Sequence, residues 1–326
     1  MSFLSATGGG VDASGGTTVQ DVNVDGVDYR VHFFENVGSD TFNVNRGGEV
    51  DVLIVGGGGG ATRYGGGGGG GEVVFGTDTV TSQDYTITVG GGGDSSADTS
   101  RNSSNHHGDD SSAFGVTAKG GGMGMPTNQD EQSFVSANGT LSSVGNGGGG
   151  SSRSAGYFGQ VGPSVTGFTR FGGNRGGQTD FEPPGSSVNS DNNFPSGGGG
   201  GANGDAIPSG NTGSTGDGGE GGPGVQINFT GNDYYWGGGG GGQTFYQRSG
   251  SASGGDGGIG GGGAGSGGGT ATGGGSAINS GGDAPANSAG GDGGANTGGG
   301  GGAGEGESNS PGGAGGSGIV LIRYEI

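Results

Sequence analysis

Val50-Asp51-Val52-Leu53-Ile54-Val55 runs without a break into Gly56-Gly57-Gly58-Gly59-Gly60. The first half is β-branched, and towards its end it is apolar on both faces. That is the pattern of a central strand covered on both sides. The second half has no side chains, so hydrophobic burial cannot order it. Whatever holds the glycine half must come from its backbone, and this junction decides the fold.

The same problem recurs along the chain. Of 326 residues, 102 are Gly and 9 are Pro, together about a third. Such a fraction without a period ordinarily marks a disordered chain. Collagen is excluded, because the strict Gly-X-Y repeat and abundant proline are both missing. Fixing a backbone costs roughly 1–2 kcal/mol per residue, and glycine loses the most freedom. A polyproline-II-type helix offers a way out. It has three residues per turn and a rise of about 3.1 Å, and its N–H and C=O groups point sideways. A bundle of such helices satisfies those groups in its neighbours, helped by weak Cα–H···O contacts. Runs of five to seven glycines would span on the order of 15–22 Å. Non-glycine residues then belong at the bundle surface and in its turns.

Strand patterns surround the first junction. Thr18–Val24, Val27–Phe34, Thr41–Asn45 and Glu49–Val55 carry β-branched and aromatic residues, with turn chemistry at Asp25-Gly26 and Gly47-Gly48. Glu72–Phe75 and Tyr85–Val89 read as further strands, and Gly318–Tyr324 as a closing one. Leu is scarce, the only Lys is Lys119, and no stretch repeats apolar residues at helical spacing. The predicted fold is therefore all-β or irregular, with almost no α-helix. Its parts are a lead-in or docking segment (1–16), N-terminal strands (17–55), a glycine-rich body (56–318) and a closing strand (319–326). Hydrophobic residues are only 25% of the chain, too few for one large side-chain core.

Thirty acidic residues against ten basic give a net charge of −20. This repels phosphate backbones and anionic lipid, so neither nucleic acid nor membrane insertion is expected. Asp-rich, Lys-poor composition also suits solubility in high salt, as in a marine or hypersaline source. There is no Cys, hence no disulfide and no thiolate metal site. Met1–Gly8 has neither a basic nor an apolar signal region, and no run is long enough to span a membrane, so no signal peptide is expected.

Taken in order, these pieces resemble the glycine-rich domain of phage tail fibres and adhesins. The resemblance is carried by Tyr29–Phe34, Thr41–Val44, Asp51–Val55 with Gly56–Gly60, Tyr85–Gly90, Ser111–Gly115 with Ala118–Gly122, and Gly315–Tyr324. It implies a sandwich of polyglycine-II helices capped by β-structure, with variable distal loops that touch a host receptor. It also implies a place on the virion surface or outside the cell. The implied partners are a host-surface glycan or protein, and other virion proteins through the N-terminal region. A homo-oligomer, a trimer, is a candidate assembly. The alternative is a purely structural virion part such as a shaft, turret or capsid decoration.

Chemistry has little to build on. A strand followed by glycines mimics the dinucleotide fingerprint, but no helix follows, and in a chain this glycine-rich the pattern arises by chance. No nucleophile elbow or spaced carboxylate pair is identifiable, so no enzyme activity is expected. No cofactor is expected beyond a structural divalent cation, for which His106, His107, Asp109 and Asp110 are weak candidates, their plainer reading being a solvated polar loop. The stronger lead is aromatic. Tyr157 and Phe158, Phe168, Arg170, Phe171 and Arg175, Tyr234, Tyr235 and Trp236, and Phe245, Tyr246 and Arg248 interrupt the glycine runs. Exposed aromatics and Arg favour recognition and stack on sugars. The competing reading is that they seal the bundle ends or pack against neighbouring subunits.

Overall fold

A computed structural model describes residues 10–95, 106–126, 144–151, 156–177, 195–209, 216–244, 252–305 and 310–326. The fold is all-β, with no α-helix among the described residues.

The strand patterns fold where the sequence places them. β1 (Asp12–Ser14), β2 (Thr18–Val24), β3 (Val27–Phe34), β4 (Gly38–Arg46) and β5 (Gly48–Val55) come first. β6 (Val73–Val80), β7 (Asp84–Val89), β8 (Ser111–Ala113), β9 (Val116–Ala118) and β10 (Phe168–Phe171) follow. β11 (Val225–Gln226), β12 (Tyr235–Trp236) and β13 (Ile319–Glu325) complete the set. β1 adds an ordered edge strand inside the expected lead-in, paired with β4. One antiparallel sheet has the order β1-β4-β7-β8-β9 and the other β10-β6-β5-β13-β3-β2. The closing strand therefore lies inside its sheet, between β5 and β3, with Leu321 opposite both Leu53 and Phe33.

The two sheets pack face to face over Phe34, Phe42, Val50, Val52, Ile54, Ile87, Val320 and Ile322. The alternate residues Val31, Leu53, Val55, Ile319 and Leu321 face the opposite way and meet Ala202, Val225, Phe229 and Trp236. Both faces of β5 and β13 are thus covered along Val52–Val55 and Ile319–Ile322, which is why those stretches carry no polar alternation.

The glycine runs leave this sandwich and return to it. Residues 56–60 depart from β5, and 65–72 come back into β6. Departure from β7 and β9 and return into β8 and β13 repeat the plan. Their hydrogen bonds repeat every three residues. Gly56 and Gly59 donate to Glu72 and Gly69, Gly57 and Gly60 to Asp109 and His106, and Gly58 and Ala61 to Gly316 and Gly313, all at 2.8–3.0 Å. The carbonyls of Gly57 and Gly60 accept from Gly121 and Gly124, that of Gly58 from Gly93, and that of Gly59 from Gly301. One run therefore bonds to six others, the arrangement of threefold polyglycine-II helices in a hexagonal bundle. Neighbours run both ways. Gly67 and Gly70 donate to Gly197 and Gly200 in a parallel run, whereas Gly66 and Gly69 donate to Met125 and Gly122 in an antiparallel one.

Close approach requires glycine in the interior. A Cβ added at Gly58 or Gly68 would fall on the carbonyl oxygen of Gly299 or Gly59, so the Cα–H it would replace points at that oxygen. On the flank, side chains emerge every third residue. Asp217, Glu220 and Pro223 are exposed, while Gly218, Gly219 and Gly222 between them are buried.

Candidate functional site

The bundle has two unlike ends. At the sandwich end, the turns are packed on the second face of the large sheet. Residues 225–236 fold back there as β11 and β12, pairing Val225 with Trp236 and Gln226 with Tyr235. Phe229 and Trp236 are almost wholly buried, and the Trp236 indole N–H donates to the Ile227 carbonyl at 3.4 Å. Arg323 fastens this cover. Its guanidinium lies between the rings of Tyr29 and Phe229, at 4.4 and 4.6 Å. It also donates to the Phe229 carbonyl at 2.8 Å and to the Asp51 carboxylate at 2.9 Å. Burial thus gives Trp236 a sealing role, with Tyr234 edge-on to it at 6.1 Å and Tyr235 half-buried beside it. Trp236→Phe, which removes the N–H bond and leaves a small void, is expected to cost roughly 2 kcal/mol. A shift of the urea midpoint at unchanged slope would show it.

The remaining aromatic and basic candidates are scattered. Tyr157 is 1% exposed and donates to the Met123 carbonyl at 2.7 Å, and burial pushes its phenol pKa up. Phe168 and Phe171 lie on β10 and pack against opposite faces of the large sheet. Arg170 is buried and ion-paired to Glu72 at 2.8 Å. Phe158 is 55% exposed, with the Arg175 guanidinium stacked 5.0 Å from its ring. Phe245, Tyr246 and Arg248 lie outside the described residues. Tyr157, Arg170 and Trp236 are therefore corrected from surface candidates to internal ones, because no face of them is left for a ligand.

At the opposite end, the run ends at Ala61, Asp94, Ser151, Gly177, Ser209, Thr244 and Glu305 lie away from the sheets, since each terminates a segment that runs outward from the sandwich. Arg63 and Tyr64 occupy the first of these turns. Tyr64 holds a positive φ of 58°, and the Arg63 guanidinium lies 4.8 Å over its ring. Neither was singled out in the sequence; the signal was a cation and an aromatic in a turn only four residues long between two glycine runs.

The polar segment with the weak cation candidates is engaged within the protein. The His106 ring bonds the Asp94 carbonyl at 2.7 Å, and His107 Nδ1 accepts the Met123 N–H at 3.1 Å. Asp110 accepts from Lys119 Nζ at 3.2 Å and from the Gly120 N–H at 2.9 Å. The Asp109 backbone bonds neighbouring glycine runs. Among the described residues no three His, Asp or Glu side chains are placed to share a metal ion.

Two histidines make the fold sensitive to acid. Burial, and then the charge of His106, brings His107 down to about 4. His32 is also lowered, chiefly by burial between Phe42 and Tyr324, with Arg30 adding to it and the Gly15 carbonyl opposing. Both are neutral in the folded protein. Their contribution is complete above the unfolded value of 6.5 and is lost as pH falls from there towards the folded values. At about 1.4 kcal/mol per unit, His107 carries the larger part. The melting temperature should therefore fall between pH 6.5 and 4, and His107→Gln should flatten that fall.

The acids on the flank have a role that composition concealed. Asp205, Asp217, Asp256, Asp283 and Asp292 are exposed, and each carboxylate accepts a backbone N–H from the adjoining run. The donors are Arg175, Ser253, Thr272, Gly273 and Ala314, at 2.6–2.9 Å. No curated protein matches the chain. The sequence profile of a family described as a glycine-rich domain matches residues 35–325, from the end of β3 to the end of β13, and the chain belongs to that family.

Proposed function

We propose that this chain is a virion fibre or adhesin protein that recognises a host-surface glycan or protein, with the polyglycine bundle as its scaffold. The observation that carries the reading is the asymmetry of the two ends. The sandwich end is sealed by Phe229, Trp236 and Arg323, whereas the run ends Ala61, Asp94, Ser151, Gly177, Ser209, Thr244 and Glu305 lie at the other end, away from the sheets. A rigid base with connections at its tip suits recognition, because binding residues concentrate on loops positioned by a rigid scaffold. Recognition belongs to the far end, where Arg63 and Tyr64 lie half-buried and the run that ends at Thr244 terminates, rather than to the Tyr234–Trp236 cover.

The test is adsorption of the labelled chain to a panel of intact bacterial and archaeal cells. Replacing 178–194 and 245–251 with Gly-Ser linkers should remove binding while the melting temperature holds. Undiminished binding by that variant, or no binding of the native chain to any cell, would favour the second reading of a structural virion part.

A further inference from the structure

A threefold helix at the edge of a bundle has the same difficulty as an edge strand in a sheet. Its outward N–H and C=O groups are unpaired, and they match those of any other glycine-rich run. The interior of this molecule shows which partner such an edge accepts, because every interior run is bonded to further runs of the same kind. A second copy of the chain presents the same flank. Each copy is thus a lattice fragment able to continue in the other.

Five carboxylates stand along that flank. Asp205 reaches the Arg175 N–H at 2.6 Å and Asp217 the Ser253 N–H at 2.9 Å. Asp256 and Asp283 reach the consecutive N–H groups of Thr272 and Gly273 at 2.7 and 2.9 Å, and Asp292 that of Ala314 at 2.7 Å. Apart from Asp256 and Asp283, which share one run, they serve different runs, so the pattern is repeated around the flank rather than gathered in one place. In each case an acceptor carried on one run occupies a donor of the next, and the side chain remains in water.

We infer that these aspartates guard the flank against a second copy of the chain: they saturate donors that a neighbouring bundle would otherwise bond, and they keep copies from adding side by side. The guard is the bonded acceptor, with the negative charge as a supplement. This separates it from general solubility, to which all thirty acids contribute.

Two variant sets decide it, each measured by light scattering and sedimentation beside the native chain at equal concentration. Changing all five aspartates to Ala frees the donors. Changing all five to Asn removes the charge and keeps an acceptor of the same reach. The Ala set should raise the weight-average mass roughly twofold or more, as for pairing of like flanks, and the Asn set should match the native chain. If both sets associate, charge alone is the guard and the inference fails. It fails equally if the Ala set melts as a folded protein with unchanged mass. Should the full Ala set not fold, Asp256→Ala with Asp283→Ala exposes the adjacent Thr272 and Gly273 donors alone. Hydrogen exchange then reads the result: those amides should be unprotected in dilute solution and regain protection as concentration rises. Exchange independent of concentration would overturn the inference.

Discussion

Gly68→Ala should abolish cooperative folding, while Gly275→Ala should leave the melting curve in place or raise it slightly. Gly68 lies in the middle of the bundle. Its N–H donates to Gly301 and its carbonyl accepts from Gly240, both at 2.8 Å. A Cβ there would land on the Gly59 carbonyl. The Gly68 carbonyl is itself approached by the Cα atoms of Gly199 and Gly300. No neighbour can retreat, because each is held by other runs. Overpacking alone costs about 1–3 kcal/mol. Relief by separating two runs would also strand backbone groups, at about 1–3 kcal/mol each. The sum approaches the whole stability of an ordinary domain, about 5–15 kcal/mol. Gly275 is exposed, has no atom within 4 Å of an added Cβ and lacks a positive φ. There, Ala only restricts the unfolded chain, a gain of about 0.4–1 kcal/mol. Circular dichroism melts of the two variants make the comparison, and a cooperative melt of Gly68→Ala near the native temperature would refute the interior packing.

Glu72→Ala should cost about 3–5 kcal/mol, the range for breaking a buried pair. Glu72 is fully buried where the returning run enters β6. It joins three separate segments, accepting from Arg170 at 2.8 Å, from the Lys119 N–H at 2.9 Å and from the Gly162 N–H at 3.1 Å. Arg170 also donates to the Thr117 carbonyl at 2.9 Å. The pair therefore holds the 162–170 segment and the β9 exit to one point. Removing Arg170 leaves Glu72 with two backbone donors, so Arg170→Met should cost less than Glu72→Ala. The double variant should not recover stability, since the Lys119 and Gly162 N–H groups stay unbonded. Urea unfolding of the three variants gives the cycle, and recovery in the double variant would show that the ion pair alone matters.

The strands were legible because side chains encode them. β2 and β3 occupy the spans that alternation predicts, and β4 and β5 extend theirs by a few residues. The use of glycine was legible too, because a bare backbone has only hydrogen bonding to offer. Which run meets which was not. Gly58 and Gly59 bond different runs, at Gly316 and Gly69, and glycine carries nothing that distinguishes one neighbour from another. The aromatic cover was legible only as one of two readings, for a different reason. Tyr234–Trp236 stand between polar and glycine residues, as a surface loop would. Yet Leu53, Val55, Ile319 and Leu321 demanded a second apolar layer, and Val225, Phe229 and Trp236 supply it. Arg170 resembled a recognition residue because its partner, Glu72, stands 98 positions away.

The direction of the bundle's hydrogen bonds has a mechanical consequence. They lie across the run axes, joining each segment to parallel and antiparallel neighbours, so a pull between tip and base loads them in shear. A segment such as 66–71 slides only if its bonds to the runs around 122, 149, 197, 240 and 301, and to Gly59, fail together. Tension is shared over the cross-section, and a body of the most flexible residue resists extension as a single stiff strut.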